Sequence, residues 1–223
     1  MSKMIGFGLV VCGLLLAQAG CQPNAGRRPK AKQEQSLSTE GLTGGKLLLE
    51  DKFSEPQLAA HWIPKQHPKA KVVDGWLHLQ GNRNEPPLWL NFKLPERVRI
   101  EFDARSRSGE GDIKFEVFGD GQKHASGYIL VMGAHNNAED WLARLDEHGA
   151  DRQTQASKGA AKDKVYRMAV VRTDNVLRWF VDGQPFMSFN DEAPLKGEGH
   201  HFFAFNDWNA PLEFDNLQVF SLE

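Results

Sequence analysis

The sequence has very little cysteine, which sets the first limit on how the fold can be stabilised. Among 223 residues the only two cysteines are Cys12 and Cys21, so no thiol follows residue 21. The main part of the chain can therefore form no disulfide and must depend on a hydrophobic core. The eight histidines are scattered and show none of the spacings typical of a zinc site.

Several other features of common protein classes are also missing. There is no excess of basic residues, because 27 Lys and Arg face 29 Asp and Glu, for a net charge of -2. Nothing in the charge therefore favours a nucleic acid as partner. The sequence also lacks a glycine-rich phosphate loop, a serine nucleophile elbow and an HExxH zinc motif. These absences argue against nucleotide-dependent enzymes, α/β-hydrolases and zinc proteases.

Residues 1–20 have the pattern of a secretory signal peptide, with Lys3 before an apolar run too short to span a membrane comfortably. The end of this segment resembles a bacterial lipobox, with Cys21 directly after Ala19-Gly20, although Gln18 stands where Leu is usual. The resemblance implies a lipoprotein, acylated at Cys21 and attached to the outer membrane of the bacterial cell envelope. The alternative is an ordinary signal peptide cleaved near Ala19, with Cys21 a spare thiol.

Residues 22–45 contain almost no large apolar side chain and are rich in Gly, Gln, Ser, Pro and charge. Such a segment cannot bury enough surface to offset its chain entropy, so it is expected to be a disordered tether. The sequence therefore predicts three parts: a lipoprotein signal peptide at 1–20, a lipidated Cys21 with linker at 21–45, and a domain at 46–223.

The stretch over residues 165–189 carries the strongest signals for secondary structure. Its β-branched and aromatic runs are separated by residues 173–175 and by Asp182-Gly183. Asp-Gly between apolar runs is typical of a tight hairpin turn, in which both central residues need a positive φ. The stretch therefore predicts two consecutive hairpins, and the Asp-Gly pair at 74–75 predicts a third.

The remainder of the domain also shows the period of β-strands. Residues 97–105 form the clearest strand, because apolar and charged side chains alternate strictly along it. The residues predicted to face the core are Val98, Ile100, Phe102 and Ala104. Together with about a dozen short strands at even spacing, this predicts an all-β sandwich of two antiparallel sheets. Only residues 139–147 have any helical character, and residues 153–164 are expected to form a polar loop.

Four segments carry a resemblance to a known superfamily: Glu50-Asp51 with Phe53, IEFDAR at 100–105, RWFVDGQPF at 178–186 and GHHFFAFNDWNAPLEFDNLQVF at 199–220. They resemble the concanavalin A-like lectin/glucanase superfamily over about residues 46–222. The resemblance implies a jelly roll, in which one of the two sheets is curved and has a groove on its concave side. The fold alone does not determine function, because it carries lectins, hydrolases, lyases and structural modules.

Two carboxylates on one strand face are candidates for catalysis. Glucanases of this superfamily use a Glu-x-Asp-x-x-Glu array, in which one carboxylate attacks the sugar and another acts as general acid. Glu101 and Asp103 match the first two positions, but Ser106 occupies the third, so the array is incomplete. The alternative is a solvated ladder of charges paired with arginines of the same face. Glu116, expected on a neighbouring strand, is the remaining candidate acid.

Aromatic side chains near polar ones are the candidates for ligand binding, because flat rings stack on sugars while amides and guanidinium groups bind hydroxyls. The candidate residues are Trp141, Trp179, Trp208, Arg144, Asn206 and His200. Trp179 is equally compatible with a place in the core. Trp208 lies in an Asn-Asp-Trp-Asn segment expected at the rim of the groove, and alternation places Phe203 and Phe205 in the core.

The resemblance also implies a structural Ca²⁺, which many members hold with acids of the first and last strands. Asp51 and Asp215 are the corresponding candidates, with backbone carbonyls as further ligands. No other cofactor is expected.

These features favour an envelope-anchored module that binds carbohydrate or glycan surfaces without catalysis. Two alternatives stay open: a glycoside hydrolase or polysaccharide lyase that uses the carboxylates, and a structural lipoprotein whose groove holds no ligand. A binding module needs accessible tryptophan faces, an enzyme needs converging carboxylates, and a structural module would have a filled groove.

Acylation at Cys21 has a direct test. Cells that express the protein and are fed a radioactive fatty acid should label it, because several acyl chains on one cysteine anchor a protein stably. The Cys21→Ala variant should carry no label. An unlabelled wild-type protein would contradict the lipoprotein assignment.

Overall fold

The structure, a computed structural model, describes residues 38–64, 67–81, 83 and 85–223. The predicted signal peptide, Cys21 and most of the predicted linker lie outside these residues. Within the described part, no helix has the length and apolar character needed to cross a membrane.

The described residues form fourteen strands and one short helical turn. In chain order they are β1 (Lys46–Asp51), β2 (Lys71–Val73), β3 (Trp76–Leu79), β4 (Leu88–Trp89), β5 (Val98–Ser106), β6 (Ile113–Gly119), β7 (Tyr128–Gly133), α1 (Ala134–Asn137), β8 (Glu139–Arg144), β9 (Gln153–Ala156), β10 (Tyr166–Thr173), β11 (Val176–Val181), β12 (Gln184–Asn190), β13 (Phe202–Asn206) and β14 (Leu212–Ser221).

The strands build two antiparallel sheets that pack face to face. The eight-stranded sheet has the order β12-β11-β10-β5-β14-β3-β2, with β1 also paired to β14. The six-stranded sheet has the order β4-β13-β6-β7-β8-β9. The prediction of an all-β, two-sheet antiparallel sandwich is confirmed.

The tight turns follow from the residues at their centres. Asp182 and Gly183 have φ of 52° and 73°, and Asp74 and Gly75 have φ of 50° and 77°. Glycine adopts this left-handed region without steric cost and aspartate tolerates it, which is why the pair favours a two-residue hairpin. The predicted hairpins β2–β3, β10–β11 and β11–β12 are all present.

The core between the sheets is built around phenylalanine. Phe102 of β5 is fully buried, and its ring centroid lies 5.0 Å from that of Phe115 and 5.1 Å from that of Phe205. Phe203 and Phe214 complete the cluster, at 5.7 Å and 6.1 Å from Phe102. Because β5 belongs to one sheet and β6 and β13 to the other, the contacts of Phe102 with Phe115, Phe203 and Phe205 join the two layers.

Residues 139–144, in the only stretch with helical character, form the strand β8, with Trp141 and Ala143 on one face of the sheet and Leu142 on the other. One expectation for the middle of the chain was wrong. Gln153–Ala156 forms the edge strand β9 rather than a loop. All four of its residues are exposed, so no apolar alternation marked it in the sequence.

The last part of the predicted linker lies on the outer face of the eight-stranded sheet. Leu42 packs there against a small apolar cluster of Ala169, Val171 and Phe180. The buried guanidinium of Arg99 donates hydrogen bonds to the carbonyl oxygens of Gly41 and Gly44, at 3.2 Å and 2.6 Å. Residues 39–45, here called the strap, are therefore held against the domain.

Replacing Phe102 tests the face assignment of β5. Phe102→Ala should lower the free energy of unfolding by about 3–5 kcal/mol, because it removes a fully buried ring from contacts across both sheets. Leu47→Ala is the matched control on an exposed side chain (46% accessible) and should cost less than about 1 kcal/mol. Urea unfolding measures both, and a loss below about 1 kcal/mol for Phe102→Ala would contradict the packing described here.

Candidate functional site

The outer face of the six-stranded sheet carries both apolar and charged side chains. An apolar cluster lies on β7 and β8 and consists of Ile129, Val131, Ala134, Trp141 and Ala143. Beside it, β6 presents Lys114 and Glu116, both buried. On this face, ionisable side chains and a tryptophan together line a pocket of several hundred cubic ångströms.

The pocket has a volume of about 380 Å³ and opens at the end of the sheet where β6 begins. That size is within the range of small-molecule sites. Its lining combines two tryptophans with acidic, basic and amide groups. The lining residues are Glu110, Asp112, Lys114, Ala134, His135, Asn136, Trp141, Glu147, His148, Trp208 and Asn209. We call it the end pocket.

Trp208 is the exposed aromatic side chain of the end pocket, with 44% of its surface accessible. The side chains of Arg83 and Lys114 each lie 5.6 Å from its ring centroid. The preceding residue, Asp207, is buried and accepts hydrogen bonds from the Gly81 N–H at 2.5 Å and from His67 at 3.2 Å. A buried polar anchor thus holds the turn that presents Trp208.

Trp141 has a different environment, because its ring is already covered. The guanidinium carbon of Arg152 lies 4.6 Å from the ring centroid, and His135 and His148 pack against the ring at 5.0 Å and 6.2 Å. Only 5% of the side chain is accessible, and its Nε1–H has no partner among the described residues. Trp141 therefore offers a hydrogen-bond donor rather than a free stacking face.

The turn α1 gives the end pocket a strained wall. His135, Asn136 and Asn137 have consecutive left-handed φ angles of 51°, 58° and 65°, which non-glycine residues seldom adopt. Asn137 holds the turn in place, since its side chain donates to the Gly109 carbonyl oxygen at 2.8 Å and accepts from the Ala160 N–H at 2.7 Å.

Four ionisable groups lie side by side at the end pocket. Lys114 and Glu116 are buried, whereas Glu147 is half-buried and His124 is partly exposed. His124 Nδ1 lies 2.6 Å from Glu116 Oε1, and His124 Nε2 lies 3.5 Å from Glu147 Oε1. Lys114 also pairs with Glu147. Burial alone would lower the pKa of His124, but its hydrogen bonds to the two carboxylates raise that pKa to about 9.

The pKa of Glu147 moves in the opposite direction. Burial alone would raise it, but the hydrogen bond from His124 and the charge of Lys114 lower it to about 2. His124 makes its whole contribution to folding stability below its usual pKa of 6.5, and this contribution is lost as the pH rises through about 9. The stability gained from Glu147 is full above 4.5 and is lost as the pH falls through 2.

Asp112 is a second acid of the end pocket with a strongly shifted pKa. Burial raises its pKa from 3.8 to about 6, and the charge of Glu147 adds to the increase, while Lys114 opposes it. Its Oδ2 is buried without a hydrogen-bond partner in the described part of the chain. The pocket thus holds one carboxyl group that gains a proton near neutral pH beside one that remains ionised.

Several candidate residues from the sequence lie outside the end pocket. Trp179 is fully buried in the core against Phe115 and Phe186, so the core interpretation is the right one. His200 lies before β13, whose five residues span about 17 Å and separate it from Trp208. It contacts the Phe118 carbonyl oxygen at 3.2 Å instead.

The predicted polar partners of Trp208 are already hydrogen-bonded elsewhere. Arg144 Nε donates to Asp191 Oδ2 at 2.8 Å, in a network shared with the Tyr128 hydroxyl. Asn206 is on the outer face of its sheet, as alternation predicts, but it is buried and donates to Glu116 Oε1 at 2.8 Å. Neither side chain is free to bind a ligand in this arrangement.

The predicted catalytic carboxylates do not converge. Glu101 and Asp103 lie on the outer face of the eight-stranded sheet, where Arg167 pairs with them at 2.8 Å and 3.3 Å. They form the ladder of paired charges that the sequence offered as the alternative to a catalytic role. Glu116 belongs to the other sheet, since the neighbours of β5 are β10 and β14 rather than β6, so the expectation of a neighbouring strand was wrong.

Asp51 and Asp215, the candidates for the implied calcium site, lie near each other: burial raises the pKa of Asp215, and the charges of Asp103 and Asp51 add to the increase. Asp51 Oδ2 accepts hydrogen bonds from His61 and Trp62, both at 2.8 Å, and its Oδ1 accepts from the Phe53 N–H at 2.8 Å. Both oxygens of Asp51 therefore already take part in hydrogen bonds within the protein. No cluster of three or more metal-ligating side chains occurs in the part of the chain that the structure describes.

Sequence reasoning missed most of the pocket lining. Asp112, Lys114 and Glu147 carry no motif, and Asp112 and Glu147 lie 35 positions apart in the chain (147 − 112). One local signal was available: Gly133 and the run His135-Asn136-Asn137 have the composition of a left-handed turn, which often accompanies a functional site.

Comparisons with known proteins identify the fold but no family. No protein-family model matches the chain, and no curated protein matches it. The carbohydrate recognition domain of Emp47p has a TM-score of 0.59 at 17% identity, covering 79% of this chain and 97% of that one. The endo-β-1,3-glucanase of Pyrococcus furiosus has a TM-score of 0.55 at 11% identity, covering 79% and 94%.

A third similar structure comes from work on endo-acting O-glycanases with which human gut bacteria initiate mucin breakdown. Its TM-score is 0.58 at 15% identity, and the match covers 80% of this chain and all of that one. At such low identities these matches concern the fold alone. The two-sheet jelly-roll fold that the resemblance implied is confirmed.

Replacing Asp112 tests its electrostatic environment. Since the pKa of Asp112 is raised, this group destabilises the wild-type fold increasingly as the pH rises from 3.8 through about 6. Asp112→Asn removes the ionised form, so the variant should be more stable than wild type at pH 8. The gain should be about 1–3 kcal/mol and should vanish near pH 3.5.

The exposed Asp151→Asn is the control and should show no such pH-dependent gain in urea unfolding. A variant at position 112 that is less stable than wild type at pH 8 would contradict the burial argument.

Proposed function

We propose that the protein is a carbohydrate-binding module whose ligand occupies the end pocket. The observation that carries the proposal is an accessible tryptophan, Trp208, beside a pocket wall of carboxylate, amide and imidazole groups. Two of the structurally similar proteins are described as a carbohydrate recognition domain and a glucanase. Their fold supports a carbohydrate ligand for this chain as well.

The polar groups of the end pocket are suited to sugar hydroxyls, each of which both donates and accepts a hydrogen bond. Trp141 Nε1–H is a buried donor and Asp112 Oδ2 a buried acceptor, and neither has a partner in the described residues. Leaving such groups unpaired costs about 1–3 kcal/mol each. A small rearrangement that brings a ligand hydroxyl to either atom would recover that free energy.

A second candidate function, glycoside hydrolysis, is favoured by one observation. Two carboxyl groups that line the same pocket have pKa values pushed in opposite directions, with Asp112 at about 6 and Glu147 at about 2. This separation is how glycosidases assign a protonated general acid and an ionised partner. Asp112 would donate the proton to the leaving oxygen in that case.

Attachment to the bacterial cell envelope through an acylated Cys21 is the remaining part of the proposal. It rests on the lipobox-like ending of the leader and on the polar composition of residues 22–37, both of which are sequence features.

Binding through Trp208 predicts a specific mutational result. Trp208→Ala should weaken binding to the recognised glycan at least tenfold, equivalent to about 1.4 kcal/mol, because the stacking surface is lost. Its melting temperature should stay nearly unchanged, because the side chain is 44% exposed. The test is a titration with soluble β-1,3-glucan, mixed-linkage β-1,3(4)-glucan and mucin, followed by tryptophan fluorescence or calorimetry.

Trp76→Ala is the matched control, since this half-buried tryptophan lies on the other sheet, 4.1 Å from the Arg105 guanidinium. It should keep full affinity. A destabilised Trp208→Ala variant with intact affinity would show that Trp208 is a packing residue. New reducing ends in the same mixtures, absent with Asp112→Asn, would instead favour hydrolysis.

A further inference from the structure

The outer face of the six-stranded sheet is not an open surface along its length. Outward-facing residues of four adjacent strands have at most 5% of their side chains accessible. They are Lys114, Glu116, Ile129, Val131, Trp141, Ala143, Ala204 and Asn206. Because these positions face away from the core, some other part of the chain must cover them.

Two loops provide the cover. Residues 120–127, between β6 and β7, fold back so that His124 and the Ala125 N–H both contact the Glu116 carboxylate, at 2.6 Å and 3.0 Å. Residues 145–152, between β8 and β9, bring Glu147 to Lys114 and Arg152 to the ring of Trp141. The two loops meet over the sheet, where His124 Nε2 lies 3.5 Å from Glu147 Oε1.

Hydrogen bonds to a buried carboxylate, in addition to apolar contacts, hold the first covering loop on the sheet. Glu116 is fully buried, and it receives hydrogen bonds from His124, the Ala125 N–H and Asn206. Lifting residues 120–127 would leave this carboxylate with only one of its three partners. A buried ion that loses its partner is strongly unfavourable, so the closed arrangement is the resting state of the loops.

The end pocket lies at the end of the sheet, where the described residues leave Trp208 exposed. We propose, on the basis of the function proposed above, that this pocket receives the end of a glycan chain and that the two loops exclude an internal stretch. A chain that ran on across the sheet would need the space that His124 and Glu147 fill. The pocket volume of about 380 Å³ suits about one or two sugar rings.

This inference can be tested with the native protein by shortening the glycan chains while the total mass of sugar is kept constant. Each of the three polysaccharides named above is partly hydrolysed by acid until its reducing ends, counted chemically, have increased about tenfold. Affinity is then measured for the intact and the hydrolysed material at equal total sugar. If chain ends are recognised, the dissociation constant expressed as sugar mass should fall about tenfold for the bound glycan.

The outcomes separate the two proposals. A dissociation constant per sugar mass that stays constant or rises after hydrolysis would overturn chain-end recognition, while glycan binding itself would stand. Failure of all intact and hydrolysed materials to bind would overturn both. Trp208→Ala should abolish the gain from hydrolysis, whereas Trp76→Ala should retain it, which assigns the effect to the end pocket.

Discussion

The contact between phenylalanine rings of the two sheets is the interaction on which the other features depend. Phe102 lies at the centre of this contact, and the rings of Phe205 and Phe214 stack across the interface at 4.0 Å. Strands β6 and β13 contribute both to this core and to the opposite face, since their side chains alternate. Packing of Phe115 and Phe205 inward therefore directs Lys114, Glu116 and Asn206 outward, where they form the polar floor beneath the covering loops.

The polar floor in turn determines the shape of the site. Glu116 would be a costly buried charge on a bare apolar sheet, and it is satisfied only because residues 120–127 fold over it. The same contact places His124 within reach of Glu147, which lowers the pKa of that carboxylate and holds the second loop. The buried carboxylate of Glu116 thus holds the first covering loop, and the end pocket lies beside the covered part of this face.

The features of the fold that depend on residues close together in the sequence could be predicted. Alternation at residues 97–105 and the two Asp-Gly turns are local signals, and they gave the correct strand face and the correct hairpins. The site depends on contacts between distant loops, and no local pattern encodes them. Trp208 could be predicted from the sequence because its polar neighbours indicate a loop. Asp112 became a candidate only from the structure, in which burial raises the pKa of its carboxyl group.

Two of the candidate ligand-binding residues are engaged elsewhere for the same physical reason. Arg144 and Asn206 have the right chemistry for a sugar, but each is already held by a carboxylate of the protein, through Asp191 and Glu116. A sequence shows which side chains are able to hydrogen-bond a hydroxyl. It does not show which of them already form hydrogen bonds with a residue far away in the chain.

The strap has a mechanical consequence. Arg99 and Glu40, which pairs with Arg178, fasten residues 39–45 to the outer face of the eight-stranded sheet, whereas the end pocket belongs to the six-stranded sheet on the other side. Any pull transmitted from the residues before the strap therefore enters the domain through the sheet opposite the pocket. The phenylalanine layer lies between that sheet and the sheet that carries the pocket.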